Sequence, residues 1–111
     1  MFGFNRGLAA KTVSPAEAAD LLRSGAVHLV DVREDGEWAQ ARIAGAIHAP
    51  LSRLDRLAAT LPTDKPVVFY CLSGARSGQA VVLCRSLGLD HDTHIAGGIS
   101  AWRAAGLPVA R

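Results

Sequence analysis

The sequence predicts an α/β fold, a mainly parallel sheet with helices on both faces. Three observations carry that prediction. The short runs at residues 27–32 and 66–71 are β-rich and almost continuously apolar, as strands covered on both faces are. Between and after them lie stretches with apolar residues at helical spacing. Glycine and proline mark the changes of period. Strands alternating with helices imply right-handed βαβ units and a parallel sheet.

Each element has its own local reason. Ser14-Pro15-Ala16-Glu17 opens a helix: Ser14 caps it, Pro15 suits the first helical position and Glu17 completes a capping box. Ala18, Leu21 and Leu22 form its apolar stripe and Gly25 stops it. The strand at 27–32 follows. A short helix is expected over 35–41 with Trp38 turned inward, then a short strand at 46–48. Leu54, Leu57, Ala58 and Leu61 fall at i, i+3, i+4 and i+7, which predicts an amphipathic helix over 52–61, ended by Pro62. The strand at 66–71 is the strongest in the chain. A turn through Ser73 and Gly74 leads to a helix over 77–87, with Ala80, Val81, Cys84 and Leu87 on one face. Gly88 stops that helix. A last strand at 93–95, the pair Gly97-Gly98 and a helix over 99–105 complete the order.

A chain of 111 residues, 50% hydrophobic and 20% charged, is one domain's worth of sequence. At that length folding removes roughly two-thirds of the unfolded surface from water, enough for a core without metal or disulfide staples. We read residues 1–10 as a short leader and 11–111 as a single domain. The first seven residues lack the apolar core and cleavage site of a secretory signal, and no uncharged run is long enough to span a membrane. The net charge is +2, with basic residues scattered and aromatics at 5%, a pattern unlike a nucleic-acid surface. Cys71 and Cys84 are the two cysteines. With no export signal they are expected as free thiols in a reducing, cytoplasmic compartment. The four histidines and two cysteines form no short ligand pair, so no metal is expected.

In parallel sheets of this kind, sites form at the carboxyl ends of strands. Two places qualify: the Asp31-Val32-Arg33-Glu34 run and the Cys71 loop. In Cys71-Leu72-Ser73-Gly74-Ala75-Arg76-Ser77 a cysteine ends a buried strand and four residues separate it from an arginine at a helix start. Such a loop can curl its backbone N–H groups toward one centre, an anion nest. The helix adds its positive end, Gly74 permits a left-handed turn, and Arg76 reaches into the nest or braces it. A thiol in that field ionises readily and becomes a nucleophile inside an anion cradle. Its substrates should be anions with an electrophilic sulfur, phosphorus or arsenic atom.

The chain resembles the single-domain rhodanese-like sulfurtransferases from about Thr12 to Val109. The resemblance rests on Asp31-Val32-Arg33-Glu34, Glu37-Trp38, Ile43-Ala44-Gly45-Ala46-Ile47, the segment Tyr70 to Ser77, Ala96-Gly97-Gly98-Ile99-Ser100-Ala101-Trp102 and Gly106-Leu107-Pro108-Val109, in that order and spacing. It implies a five-stranded parallel sheet. It also implies that Cys71 becomes a persulfide cradled by the amides of residues 72 to 76. The sulfur would come from thiosulfate or a persulfide donor and pass to a thiol, cyanide or a protein thiol, with no cofactor. Two departures stand out: Arg42 occupies a place where many members carry histidine, and Leu72 one where some thiosulfate users carry a basic residue.

Other readings use the same residues. Phosphatases sharing this fold have five residues between cysteine and arginine, against four here, and a smaller ring suits one sulfur better than a tetrahedral oxyanion. A phosphatase or arsenate reductase, or a non-catalytic sulfur carrier docking on a partner, are the rival classes. Within the candidate site, Leu72, Ser73, Gly74, Ala75 and Arg76 form the substrate loop. Ser77, Asp31 and Arg33 support it, Ser77 as a cap and the other two as an ion pair or as the lining of the mouth. Cys84 is expected in the core, Trp38 and Trp102 as core anchors, and the histidines are given no role. The oligomeric state is open.

Overall fold

The capping box expected at the first helix forms: Glu17 N–H donates to Ser14 Oγ at 3.0 Å, and Ser14 N–H donates to the Glu17 carboxylate at 2.9 Å. The computed structural model describes residues 10–111, so most of the leader expected over residues 1–10 lies outside the described residues. Ala10, the first of them, packs half-buried on the core.

In chain order the elements are β1 (Lys11–Val13), α1 (Pro15–Arg23), β2 (His28–Asp31), α2 (Asp35–Gln40), β3 (Ile47–His48), α3 (Leu54–Leu57), β4 (Val67–Tyr70), α4 (Ala75–Ser86), β5 (Thr93–Ile95) and α5 (Gly98–Ala104). The five strands pair in parallel in the order β1-β5-β4-β2-β3. Successive side chains of a strand point to opposite faces, and β4 divides the core accordingly. Val67, Phe69 and, just beyond the strand, Cys71 pack with Leu54, Ala58, Ala80, Val81 and Cys84. Val68 and Tyr70 pack on the other face with Ala18, Leu29, Ile43, Ile95, Ile99 and Trp102. Both faces of the sheet are therefore covered, and Cys71 belongs to the α4 side.

Several expectations are corrected. β1 was not read from the sequence: its side chains are exposed or half-buried, and it is held by backbone pairing to β5 rather than by an apolar run. The helix expected over 52–61 is wound in three short pieces, 3-10 turns at Leu51–Arg53 and Ala58–Thr60 flanking α3. Its apolar positions nevertheless land inside, Leu54, Ala58 and Leu61 being buried; so short a helix is marginal alone and takes its form from the packing. Trp38 belongs to neither core cluster. Its ring lies flat on His48, centroids 4.6 Å apart, with the Arg42 guanidinium over it, an arrangement that leaves it half-buried at the surface. Trp102 is the core anchor expected, its indole N–H donating to Pro108 O at 2.7 Å. Leu87 is exposed rather than on the apolar face. The last turn closes before it, Leu89 N–H donating to Cys84 O and Gly88 N–H to Arg85 O, the bond pair of a Schellman stop. No helix among the described residues is long and apolar enough to cross a membrane.

Candidate active site

β4 ends at Tyr70, and the chain turns from it into α4 through Cys71 to Gly74. Gly74, with φ of 115°, is the residue that makes the turn, in a region open to glycine and costly for other residues. The helix begins at Ala75, two residues earlier than the sequence suggests, so Arg76 and Ser77 stand in its first turn.

Cys71 is 1% exposed. Its Sγ accepts the Gly74 N–H at 3.0 Å and lies 3.5 Å from Ser77 Oγ. Burial alone pushes this thiol up. The Ser77 hydroxyl and the backbone N–H groups of Ser77, Gly74 and Ser73 outweigh it, and the net direction is down. Cys84, also a free thiol, has burial without such donors and is pushed up to about 11. The two cysteines thus differ through their hydrogen bonds: Cys71 ionises more readily than an ordinary thiol and Cys84 less readily.

A second chain segment holds the loop in place. Gly97 and Gly98 follow β5; Ile99 N–H donates to Cys71 O at 2.9 Å and Ser100 N–H to Leu72 O at 3.1 Å. The approach is so close that a Cβ at Gly98 would lie 2.6 Å from the Leu72 carbonyl.

Arg76 braces the loop rather than reaching into it. Its guanidinium binds Glu37 of α2 through two bonds of 2.6 and 2.9 Å, and this holds the Glu37 carboxyl down to about 2. Asp31 and Arg33 form a buried ion pair at the end of β2. The Arg33 backbone N–H and Nη2 donate to Asp31, each at 2.8 Å, and Nη2 also reaches Ala41 O. The pair ties β2 to the end of α2. Arg33 also lines a cleft of about 660 Å³ beside the loop with Glu37, Gln40, Leu72, Ser100 and Arg103. Leu72 is 47% exposed at the rim of that cleft, and Ser73 and Ala75 are exposed on the loop.

Two residues were missed. Glu37 carries no sequence signal for its role, because its partner lies 39 positions away. His94, given no role, places Nδ1 2.7 Å from Ser77 Oγ. The alternation in Thr93-His94-Ile95 offers the one available hint, setting His94 on the face opposite the apolar Ile95. Among the described residues no group of three or more His, Cys, Asp or Glu is placed to hold a metal ion.

The arrangement is a buried thiol, met by hydrogen-bond donors of Ser73, Gly74 and Ser77, next in the chain to Leu72, which lines the cleft. The rhodanese-like domain family matches residues 14–105. An uncharacterized protein of Synechocystis is 40% identical over 100 residues, covering 90% of this chain and 56% of its own. The human thiosulfate:glutathione sulfurtransferase is 36% identical over 107 residues, covering 84% of this chain and 93% of its own. A rhodanese-related protein of Thermoplasma volcanium superposes with a TM-score of 0.80 at 32% identity, covering 90% of this chain and 97% of its own. The chain spans about half or less of the length of several relatives, 56% of the Synechocystis protein and 46% of a Mycobacterium tuberculosis transcriptional regulator among them.

Proposed function

Because this chain belongs to the rhodanese-like domain family, we propose that it is a sulfurtransferase with Cys71 as its sulfur carrier. The observation that carries the reading is the Cys71 thiol itself, met by the Gly74 N–H at 3.0 Å and by Ser77 at 3.5 Å.

The Cys71 thiolate attacks the outer sulfur of a donor. A new S–S bond forms at Cys71, and the donor's S–S bond breaks with its electrons on the leaving sulfite or thiolate. The loop amides then support the terminal sulfur of the persulfide. An acceptor thiolate, or cyanide, attacks that sulfur, and the electrons of the breaking S–S bond return to Cys71. Donor and acceptor use the site in turn. The leaving groups are stable anions, so the chemistry asks for no strong acid in the loop.

A persulfide is the donor class favoured. Glu37 neutralises Arg76, and position 72 holds an exposed leucine, so the loop offers thiosulfate no free cation of its own. Thiosulfate remains the second donor, supported by the name of the human relative and by the exposed Arg103 in the cleft. Glutathione, from the same name, is a candidate acceptor. Two free thiols suit a reducing compartment such as the cytoplasm.

Intact mass after incubation with either donor tests the reading. We expect a gain of one sulfur, about 32 Da, removed by cyanide and absent in Cys71→Ser. Turnover of an aryl phosphate or arsenate, with no sulfur adduct from either donor, would overturn it in favour of oxyanion chemistry.

A further inference from the structure

We propose that His94 takes the thiol proton of Cys71 through Ser77, so that the sulfur carrier ionises by an internal relay. The inference rests on Cys71 being the reactive thiol of the site.

Ser77 is fully buried and its hydroxyl has three neighbours: Cys71 Sγ at 3.5 Å, Gly74 O at 3.2 Å and His94 Nδ1 at 2.7 Å. It has one hydrogen to give. When His94 carries its proton on Nε2, Ser77 donates to Nδ1, its shortest contact, and can only accept from Cys71. The sulfur is then a thiol. The other state follows from two short proton shifts. The Cys71 S–H bond breaks and its proton passes to Ser77 Oγ, while the proton Ser77 held passes to His94 Nδ1. Ser77 now donates to a thiolate and His94 is an imidazolium donating to Ser77. Protons and charges balance, and no heavy atom has to move.

The fold makes this juxtaposition deliberately specific. His94 pairs with Phe69 across β4 and β5 and with Thr12 across β1 and β5. Its neighbours Thr93 and Ile95 point to the opposite face, so His94 lies on the α4 side with Cys71 and Ser77. A Cβ added at Gly78, one position beyond Ser77, would lie 3.7 Å from the His94 ring. Burial pulls its pKa down, which keeps the ring neutral and by itself opposes its protonation; the thiolate formed at Cys71 is the counter-charge that offsets this cost. The charged groups on the surrounding elements are engaged elsewhere or lie along α4: Arg76 is bound to Glu37, Lys11 of β1 pairs with Asp92, and Arg85 sits near the far end of α4. Among titratable groups on these elements, Cys84 is pushed up to about 11 and stays a neutral thiol. Cys71 is the acid to which His94 is joined.

His94 is thus a positioning residue that acts on the reacting sulfur through Ser77. The test follows the rate of iodoacetamide alkylation of Cys71 against pH, in a Cys84→Ala background so that one thiol is read. His94→Leu should move the alkylation midpoint up by about one pH unit, roughly tenfold slower on the acid side. His94→Asn, whose amide can hydrogen-bond Ser77 but carries no proton, should move it as well. In Ser77→Ala, adding His94→Leu should change nothing further. Midpoints unchanged in both His94 variants would overturn the relay. So would a wild-type midpoint in His94→Asn alone, which would reduce His94 to a hydrogen-bonding prop. If His94→Leu does not fold, His94→Asn decides. Alkylation needs no sulfur donor, so failure of the sulfurtransferase reading is seen separately, as absence of a sulfur adduct in the wild-type protein.

Discussion

Arg76 and Glu37 face each other in a two-bonded pair at 2.6 and 2.9 Å, joining the first turn of α4 to α2 across the mouth of the Cys71 loop. Fork-to-carboxylate pairing fixes direction as well as distance. The loop therefore has a strut on one side, Arg76–Glu37, and a backbone clamp on the other, at Ile99 and Ser100.

The strut predicts a pH-dependent share of stability. The Glu37 carboxyl falls from 4.5 to about 2 in the folded state. A depressed carboxylate contributes above its unfolded pKa and loses that contribution as pH falls through the folded one. Glu37→Gln should cost about 1 kcal/mol or less at neutral pH, the pair being about one-third exposed. The difference should shrink below about pH 4.5 and vanish near pH 2. Denaturant midpoints of both proteins over a pH series measure it. A constant difference across the series would refute the assignment.

Leu72 predicts donor preference. Leu72→Lys adds a cation at an exposed rim position, where it meets thiosulfate before the sulfur is transferred. The ratio of thiosulfate to persulfide turnover should rise about tenfold, with the gain falling as salt is added. Steady-state rates with both donors give the ratio directly.

Gly98 and Gly36 predict opposite outcomes from the same substitution. Gly98→Ala forces a methyl group into the Leu72 carbonyl at a positive φ of 60°. We expect a loss of about 3 kcal/mol or more and no sulfur adduct. Gly36 lies within α2 with open space around it, and Gly36→Ala should stabilise by up to about 1 kcal/mol. Thermal melts of the two variants make the contrast.

The Asp31–Arg33 pair predicts a large cost without chemistry of its own. Asp31→Asn leaves a guanidinium that is 4% exposed without its counter-charge, at a cost of about 3–5 kcal/mol. Replacing both residues by apolar ones of similar volume should cost less than Asp31→Asn alone. Urea denaturation of the single and double variants checks the order.

What the sequence made legible was local. The Ser14–Glu17 box, the strand leading to Cys71 and the Gly88 stop are each written within a few residues, and each forms. What escaped was tertiary. The Arg76–Glu37 strut and the Ser77–His94 contact join residues 39 and 17 positions apart, and nothing in either neighbourhood announces the other. β1 escaped because it contributes hydrogen bonds rather than buried side chains. Trp38 misled because a large aromatic can pack on an imidazole and a guanidinium, here His48 and Arg42, without entering the core.

The strand order has a consequence for how the chain acquires its shape. β1, the first strand, has β5 as its neighbour, Lys11 lying opposite Thr93. A ribosome must therefore complete nearly the whole domain before the first strand can find its place. Until then Lys11, Thr12 and Val13 wait as an unzipped end. Closing so long a loop is an entropic toll that slows folding. β2 and β4, nearer in the chain and central in the sheet, can meet first. The last strand is thus the seam that closes the molecule, and it brings His94 to Ser77 in the same act. In the relay proposed above, the Cys71 thiol gains its proton acceptor only when the fold is finished.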